Sequence, residues 1–320
     1  MKKNYRLIAD SAVRPLLMLL AVLLLSACEK VAIQAEDGAE SEGETNVRLQ
    51  VTQVEGMDGT SSTRVLTDVS EVCTRLNFLL YQNGKKVKTV NQKESDATFG
   101  LVDVSLDAGT YQLLVLAHSC AANPSSASPD KVQFNNTETG YTDTFYYYGD
   151  LTVGDEPSVA NLALKRAVAM FRLMVNDAKP AGVQRLRIYY TGGSGALNAM
   201  TGYGYVKSQQ YTMYEWPDGT GTPTCFDAYT FLHDETGNLN LTVTAYGADN
   251  AVVCERQFKD VSMRRNTITQ YSGDFFANAD DGGETPVTPD SPATDDPTDD
   301  VRGIKIQVDP EWSGVNEYSF

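Results

Sequence analysis

Residues 75–90 read RLNFLLYQNGKKVKTV. Leu76, Phe78 and Leu80 recur at every second position, the period of a strand with one buried face. Asn83-Gly84 follows, two residues that tolerate positive φ and so favour a tight hairpin turn. Lys85 to Val90 is the returning strand. The same pattern repeats on both sides of this hairpin. Val47, Leu49 and Val51 alternate with Arg48, Gln50 and Thr52. Phe99 to Leu106, a turn at Asp107-Ala108-Gly109, and Tyr111 to Ala117 come next, then Phe145 to Gly149 and Leu151 to Val153. Short strands set apart by Gly, Asn and Asp turns predict a β-sandwich. Pro124 to Pro129 (PSSASP) reads as a loop between them.

A second series starts near Val159. Leu164 to Leu173 fits either a helix or a strand, and the alternation of Phe171, Leu173 and Val175 assigns it to strand. Val183–Tyr190, Tyr203–Tyr214, Tyr229–Leu232, Leu239–Tyr246, Ala251–Phe258 and Asn266–Phe276 continue the series. The expected fold is therefore all-β, with one sandwich over residues 46–155 and a second over 156–276, each of common domain size.

The ends of the chain have a different composition. Lys2, Lys3, Arg6 and Arg14 precede the apolar run Leu16 to Leu25. That run is too short to span a bilayer, which takes about 20 residues, and it suits the apolar centre of a secretory signal. It ends in Leu25-Ser26-Ala27-Cys28, which resembles a bacterial lipoprotein box. The resemblance implies that residues 1–27 are a signal peptide, cleaved before Cys28, and that Cys28 is lipidated and holds the protein on the outer membrane. Residues 28–45 are rich in acids and form a solvated tether. Gln34 to Asp37 resembles a surface-export tag of such lipoproteins, and serves equally as a polar spacer. Residues 277–302 hold eight acids and four Pro, the composition of an extended, self-repelling linker. In the last segment, 303–320, Ile304, Ile306 and Val308 alternate with Lys305 and Gln307, a candidate partner strand behind a long tether.

Charge and composition exclude several functions. The 26 Lys and Arg face 42 Asp and Glu, a net charge of -16, which leaves no basic footprint for nucleic acid. The two His, His118 and His233, lack metal-ligand spacing, so no metal and no cofactor is expected. No nucleophile elbow, phosphate-binding loop or dinucleotide fingerprint occurs. Thr191 to Gly195 (TGGSG) lacks the lysine of a phosphate loop and reads as a turn. His118 and Cys120 could form a Cys-His couple, but a structural strand-end His fits better, and no catalytic residue is assigned. Cys73, Cys120, Cys225 and Cys254 allow three pairings. Cys73–Cys120 and Cys225–Cys254, each within one domain, are expected as disulfides, with buried free thiols as the alternative. Tyr146–Tyr148, Tyr203, Tyr205, Tyr211, Tyr214 and Trp216 could stack on sugars, but they suit better the filling and dressing of sheet faces.

Taken in order, several of these segments resemble the fimbrium-anchoring lipoproteins of Bacteroidales, of the minor-fimbrium type. The likeness rests on the box at Cys28, on Leu106-Asp107-Ala108-Gly109-Thr110-Tyr111, and on Leu164-Lys165-Arg166-Ala167-Val168-Ala169. It rests also on Arg265-Asn266-Thr267-Ile268-Thr269, on Gly273-Asp274-Phe275-Phe276, and on Ile304 to Val308 with Trp312. It implies two transthyretin-like sandwiches, a non-enzymatic role at the base of a fimbrium, and shaft or accessory subunits as partners, met by strand addition. Shaft relatives lose their first strand to a protease that cuts after Arg, and Arg64 holds the matching place. A cut there would part the body from the lipid at Cys28. A fimbrial accessory or tip subunit and a glycan-binding surface lipoprotein are the rival readings.

Overall fold

The computed structural model describes residues 45–54, 69–135, 140–216, 219, 221–277 and 312–320. The first sandwich takes its strands from Val47–Val54 (β1), Arg75–Gln82 (β2), Lys85–Lys93 (β3), Leu101–Val104 (β4), Gly109–His118 (β5), Phe145–Val153 (β8) and Ser158–Arg166 (β9). A single helical turn, Val69–Val72 (α1), precedes β2, and two short strands, Ser125–Ser128 (β6) and Lys131–Gln133 (β7), follow β5. The hairpin at Asn83-Gly84 forms as its sequence dictates, with φ of 52° and 74°. Strand order is β3-β2-β5-β8-β9-β1-β4, and the sheet folds over where β8 meets β9 at Phe145 and Arg166. Leu49, Leu76, Phe78, Leu80, Val115 and Leu164 meet inside. Each such side chain contributes about 1.5–3 kcal/mol through the apolar area it removes from water.

The chain leaves this sandwich at Ala167 and Val168, between β9 and Ala169–Val175 (β10). The boundary expected at 155/156 is thus displaced, because β9 pairs in parallel with β1 and closes the first sandwich. A parallel partner so far away leaves no mark on the sequence of β9. The stretch 164–173 is strand, as its alternation predicts, but it is divided between two sandwiches.

The second sandwich continues with Val183–Thr191 (β11), Gln210–Glu215 (β14), Thr224–Thr230 (β15), Thr236–Gly247 (β16), Val252–Arg264 (β17), Ile268–Gly273 (β18) and Val315–Ser319 (β19). Its sheets are β15-β10-β18-β19 and β14-β11-β16-β17. Phe171, Leu186, Ile188, Val243 and Phe258 fill the space between them. The all-β class and the tandem of sandwiches agree with the sequence pattern.

A third sheet joins the two halves. Ala196–Asn198 (β12) and Tyr203–Gly204 (β13), from the second half, pair in the order β13-β12-β7-β6. The segment expected as a loop, Pro124 to Pro129, therefore contains β6. Beneath this sheet Leu79, Leu116, Phe134, Met170, Leu197 and Phe231 form a junction core of their own. The glycines of TGGSG permit the close approach: a Cβ on Gly195 would lie 2.1 Å from Oη of Tyr141.

Candidate functional site

Two features bear on how the chain is held and what it can hold: the seat of β1, the first strand among the described residues, and the seat of β19, the last of them. Asn46 fixes the entry to β1. Its Nδ2 donates to the carbonyl of Leu106 at 2.8 Å, and its Oδ1 accepts from the Leu106 amide at 3.0 Å. Its own carbonyl accepts from the amide of Ser158 at 2.9 Å. From there β1 lies between β4, antiparallel, and β9, parallel. Val47 and Leu49 are fully buried, and Val51 packs against the same core. On the outer face Arg48 meets Asp103, directly opposite on β4, with two bonds of 2.7 and 2.9 Å. An exposed pair of this kind adds little energy but marks the register.

At the other end, β19 lies parallel to β18, from Val315 opposite Ile268 to Ser319 opposite Ser272. It is the last strand of its sheet, and Val315 is half exposed. Side chains before, within and after it secure it. Trp312 is buried, with its ring centroid 4.0 Å from the guanidinium carbon of Arg166 and 6.2 Å from the ring of Tyr229. Tyr318 stacks on Tyr271 at 4.9 Å, and Phe320 meets Phe258 edge-on at 5.3 Å. The candidate partner strand, Ile304, Ile306 and Val308, lies outside the described residues, as do Cys28 and Arg64. The strand that docks is farther along, at 315–319. Only the spacing of Tyr318 and Phe320 announces it in sequence, because three of the residues between Val315 and Phe320 are polar.

The four body cysteines are free thiols, which corrects the two expected disulfides. Cys73 belongs to the core of the first sandwich, where its Sγ donates to the Val69 carbonyl at 3.3 Å and burial pushes its thiol up to about 12. Cys120 lies in the junction core instead, 3.5 Å from Oγ1 of Thr142. On β15 the alternation turns Phe226 and Ala228 inward and leaves Cys225 exposed. Cys254 sits in the core, its Sγ donating to the carbonyl of Phe275 at 3.2 Å. The members of each expected pair thus differ in surroundings: Cys73 and Cys120 belong to separate cores, and Cys225 is exposed where Cys254 is buried.

His118 and Cys120 do not form a couple either. The imidazole is wholly buried, bonded to Asn77 at 2.9 Å and to the backbone amide of Cys120 at 3.1 Å. Burial lowers its pKa to about 4, with Arg75 adding to the effect. His233 is exposed and bonds the carbonyl of Gly204. Among the described residues no three His, Cys, Asp or Glu side chains converge as a metal site. Of the aromatics weighed for sugar stacking, Trp216 and Tyr214 pack on Phe226 at 4.7 and 5.4 Å, and Tyr146 and Tyr148 cover the junction core.

Solved structures offer likenesses at low identity. A candidate adhesin from Bacteroides ovatus is 13% identical, with 71% of this chain and 88% of that chain covered and a TM-score of 0.46. A candidate polysaccharide-binding protein from Bacteroides thetaiotaomicron is 11% identical, with 66% and 80% covered and a TM-score of 0.46. The fimbrial anchor protein Mfa2 from Porphyromonas gingivalis is 10% identical, with 65% and 80% covered and a TM-score of 0.36. No curated protein matches the chain in sequence. One family model matches residues 38–314, most of the chain, and the chain belongs to that family, a family of unknown function (DUF6562).

Proposed function

We propose that this protein is a structural lipoprotein that fixes a fimbrium to the outer membrane. The observation that carries the reading is the seat of β1. A strand that follows the acidic tether by a few residues is clamped at Asn46 and hydrogen-bonded on both sides. A pull transmitted from a lipid at Cys28 through the tether runs along β1 and loads its ladder bonds together, rather than one after another. The body therefore resists extraction from its own anchor, as a base subunit must. Because β1 fills the slot between β4 and β9, that slot is closed to a strand from elsewhere. A chain that keeps its β1 ends a row of strand-exchanging subunits, which gives a means of limiting fimbrial length. Contact with shaft or accessory subunits by strand addition at a free sheet edge completes the reading.

The test pairs Cys28→Ser with recovery of the native protein's partners. The Cys28→Ser protein is expected in the soluble fraction, with fimbriae shed into the medium, while native protein solubilised from membranes retains fimbrial subunits. Membrane retention of Cys28→Ser, or native protein that recovers no fimbrial subunit, would overturn the proposal.

A further inference from the structure

Arg166 is wholly buried at the point where the chain passes between the sandwiches. Its Nε and Nη2 donate to the two carboxylate oxygens of Asp143, at 2.8 and 2.9 Å. Its Nη1 donates to Oδ1 of Asn266 at 2.7 Å. Asp143 stands just before β8 of the first sandwich, and Asn266 lies in the turn between β17 and β18 of the second. One guanidinium thus ties both halves. Two rings lie against it, Phe145 of the first sandwich at 4.7 Å and Trp312 of the C-terminal segment at 4.0 Å.

The same segment also holds the Asn266 turn. The amide of Ser313 donates to the Asn266 carbonyl at 2.7 Å, and the Ser313 hydroxyl lies 3.1 Å from Oγ1 of Thr267. We infer that Trp312 is a latch through which the docking of the C-terminal strand sets the rigidity of the joint between the two sandwiches. When Trp312 is seated, the guanidinium is dry, and its bonds to Asp143 and Asn266 act in a medium of low dielectric. When Trp312 leaves, water reaches Arg166 and competes for both partners, while the Asn266 turn loses its bond to Ser313. Coupling of this kind is reciprocal: whatever loosens the joint also weakens the seat of β19. A molecule that draws β19 away therefore changes how the sandwiches move against each other.

Hydrogen exchange on the full chain tests this. The amides of Phe134 and Ala199 report the joint, because they donate across it to the carbonyls of Gly195 and Pro129. The amides of Ser313 and Phe320 report the tail. In Trp312→Ala, exchange is expected to rise about tenfold or more at all four, while Val115 and Ile188, inside the sandwiches, hold their rates. Trp312→Phe, which keeps a ring over Arg166, should recover most of the protection. Faster tail exchange with Phe134 and Ala199 at wild-type rates would overturn the latch. Should Trp312→Ala unfold the sandwiches, Asn266→Gly approaches from the other side. It removes the bond to Arg166 and suits the positive φ of 55° at that position. It must speed exchange at Ser313 and Phe320 as well as at the joint, and an unmoved tail refutes the coupling.

Discussion

His118 and Asn77 form one buried unit: Nε2 of His118 lies 2.9 Å from Oδ1 of Asn77, and Nδ2 of Asn77 donates to Oδ1 of Asn91 at 2.8 Å. Because the Cys120 amide donates to Nδ1 of His118, the ring proton sits on Nε2 and the imidazole is neutral. A second proton would face that amide and would be buried without an acceptor. The folded pKa is about 4, below the ordinary 6.5, so the unfolded chain takes up the proton first as pH falls. This contribution to stability is complete above pH 6.5 and is lost between there and pH 4. Its size is about 3 kcal/mol. Denaturant midpoints at pH 7 and pH 4.5 check it: the drop should shrink in His118→Gln, and equal drops in both proteins would refute the assignment.

Thiol chemistry separates the cysteines. Cys225 is expected to be the one body cysteine that an alkylating reagent reaches in the folded protein, slowly at neutral pH because desolvation and the nearby Asp227 push its thiol up to about 12, and Cys73, Cys120 and Cys254 should react only after unfolding. Peptide mapping without reductant should find no bridge among the four. Replacing Cys254 by Ala should cost about 1 kcal/mol, since the site loses a small buried group, while the carbonyl of Phe275 keeps its bond from Nε of Arg256 at 2.7 Å.

How much of this was legible depended on whether the cause was local. The β2–β3 hairpin was written in Leu76, Phe78, Leu80 and Asn83-Gly84, because period and turn chemistry act within a few residues. The expected Cys225–Cys254 pair is not formed because Cys225 faces away from the core, and which face a strand buries is decided by its partners. The place where the sandwiches part, at Ala167 and Val168, stayed hidden for a related reason: β9 is claimed by β1 across more than a hundred residues. Arg166 sits within Leu164 to Ala169, yet nothing in its neighbourhood indicates that a charged residue is wholly buried there. Its partners, Asp143, Asn266 and Trp312, come from three separate stretches. The seat of β19 was likewise obscured by the more regular alternation at Ile304, Ile306 and Val308.

Loss of one ring should free the C-terminal strand without unfolding the rest. Tyr318→Ala removes a stacked pair worth about 0.5–1.5 kcal/mol beyond its buried area. Phe320→Ala removes the edge contact to Phe258. Either substitution should leave the main unfolding transition within about 2 kcal/mol of wild type and make the chain cleavable by protease between Trp312 and Phe320. An uncut segment in both variants would show that the backbone bonds between β18 and β19 suffice to hold it.

The joint between the sandwiches makes the sharpest demand on a single residue. Gly195 precedes β12, and its carbonyl accepts from the Phe134 amide at 3.1 Å. The Tyr141 hydroxyl stands where a side chain at 195 would begin, with Oη 2.1 Å and Cζ 2.9 Å from the added Cβ. Tyr141 is buried and cannot swing into solvent without uncovering Phe231, whose ring lies 6.2 Å away. Gly195→Ala should therefore push the third sheet away from Tyr141, at about 1–3 kcal/mol. Most of the clash is with the hydroxyl oxygen, so Tyr141→Phe should relieve part of it. The double variant is expected to be more stable than the sum of the two single changes, by about 1 kcal/mol in a mutant cycle read from denaturant unfolding. Strict additivity would mean that the sandwiches move apart freely at this point, and the third sheet would then be a cover over the joint rather than the weld that fixes it.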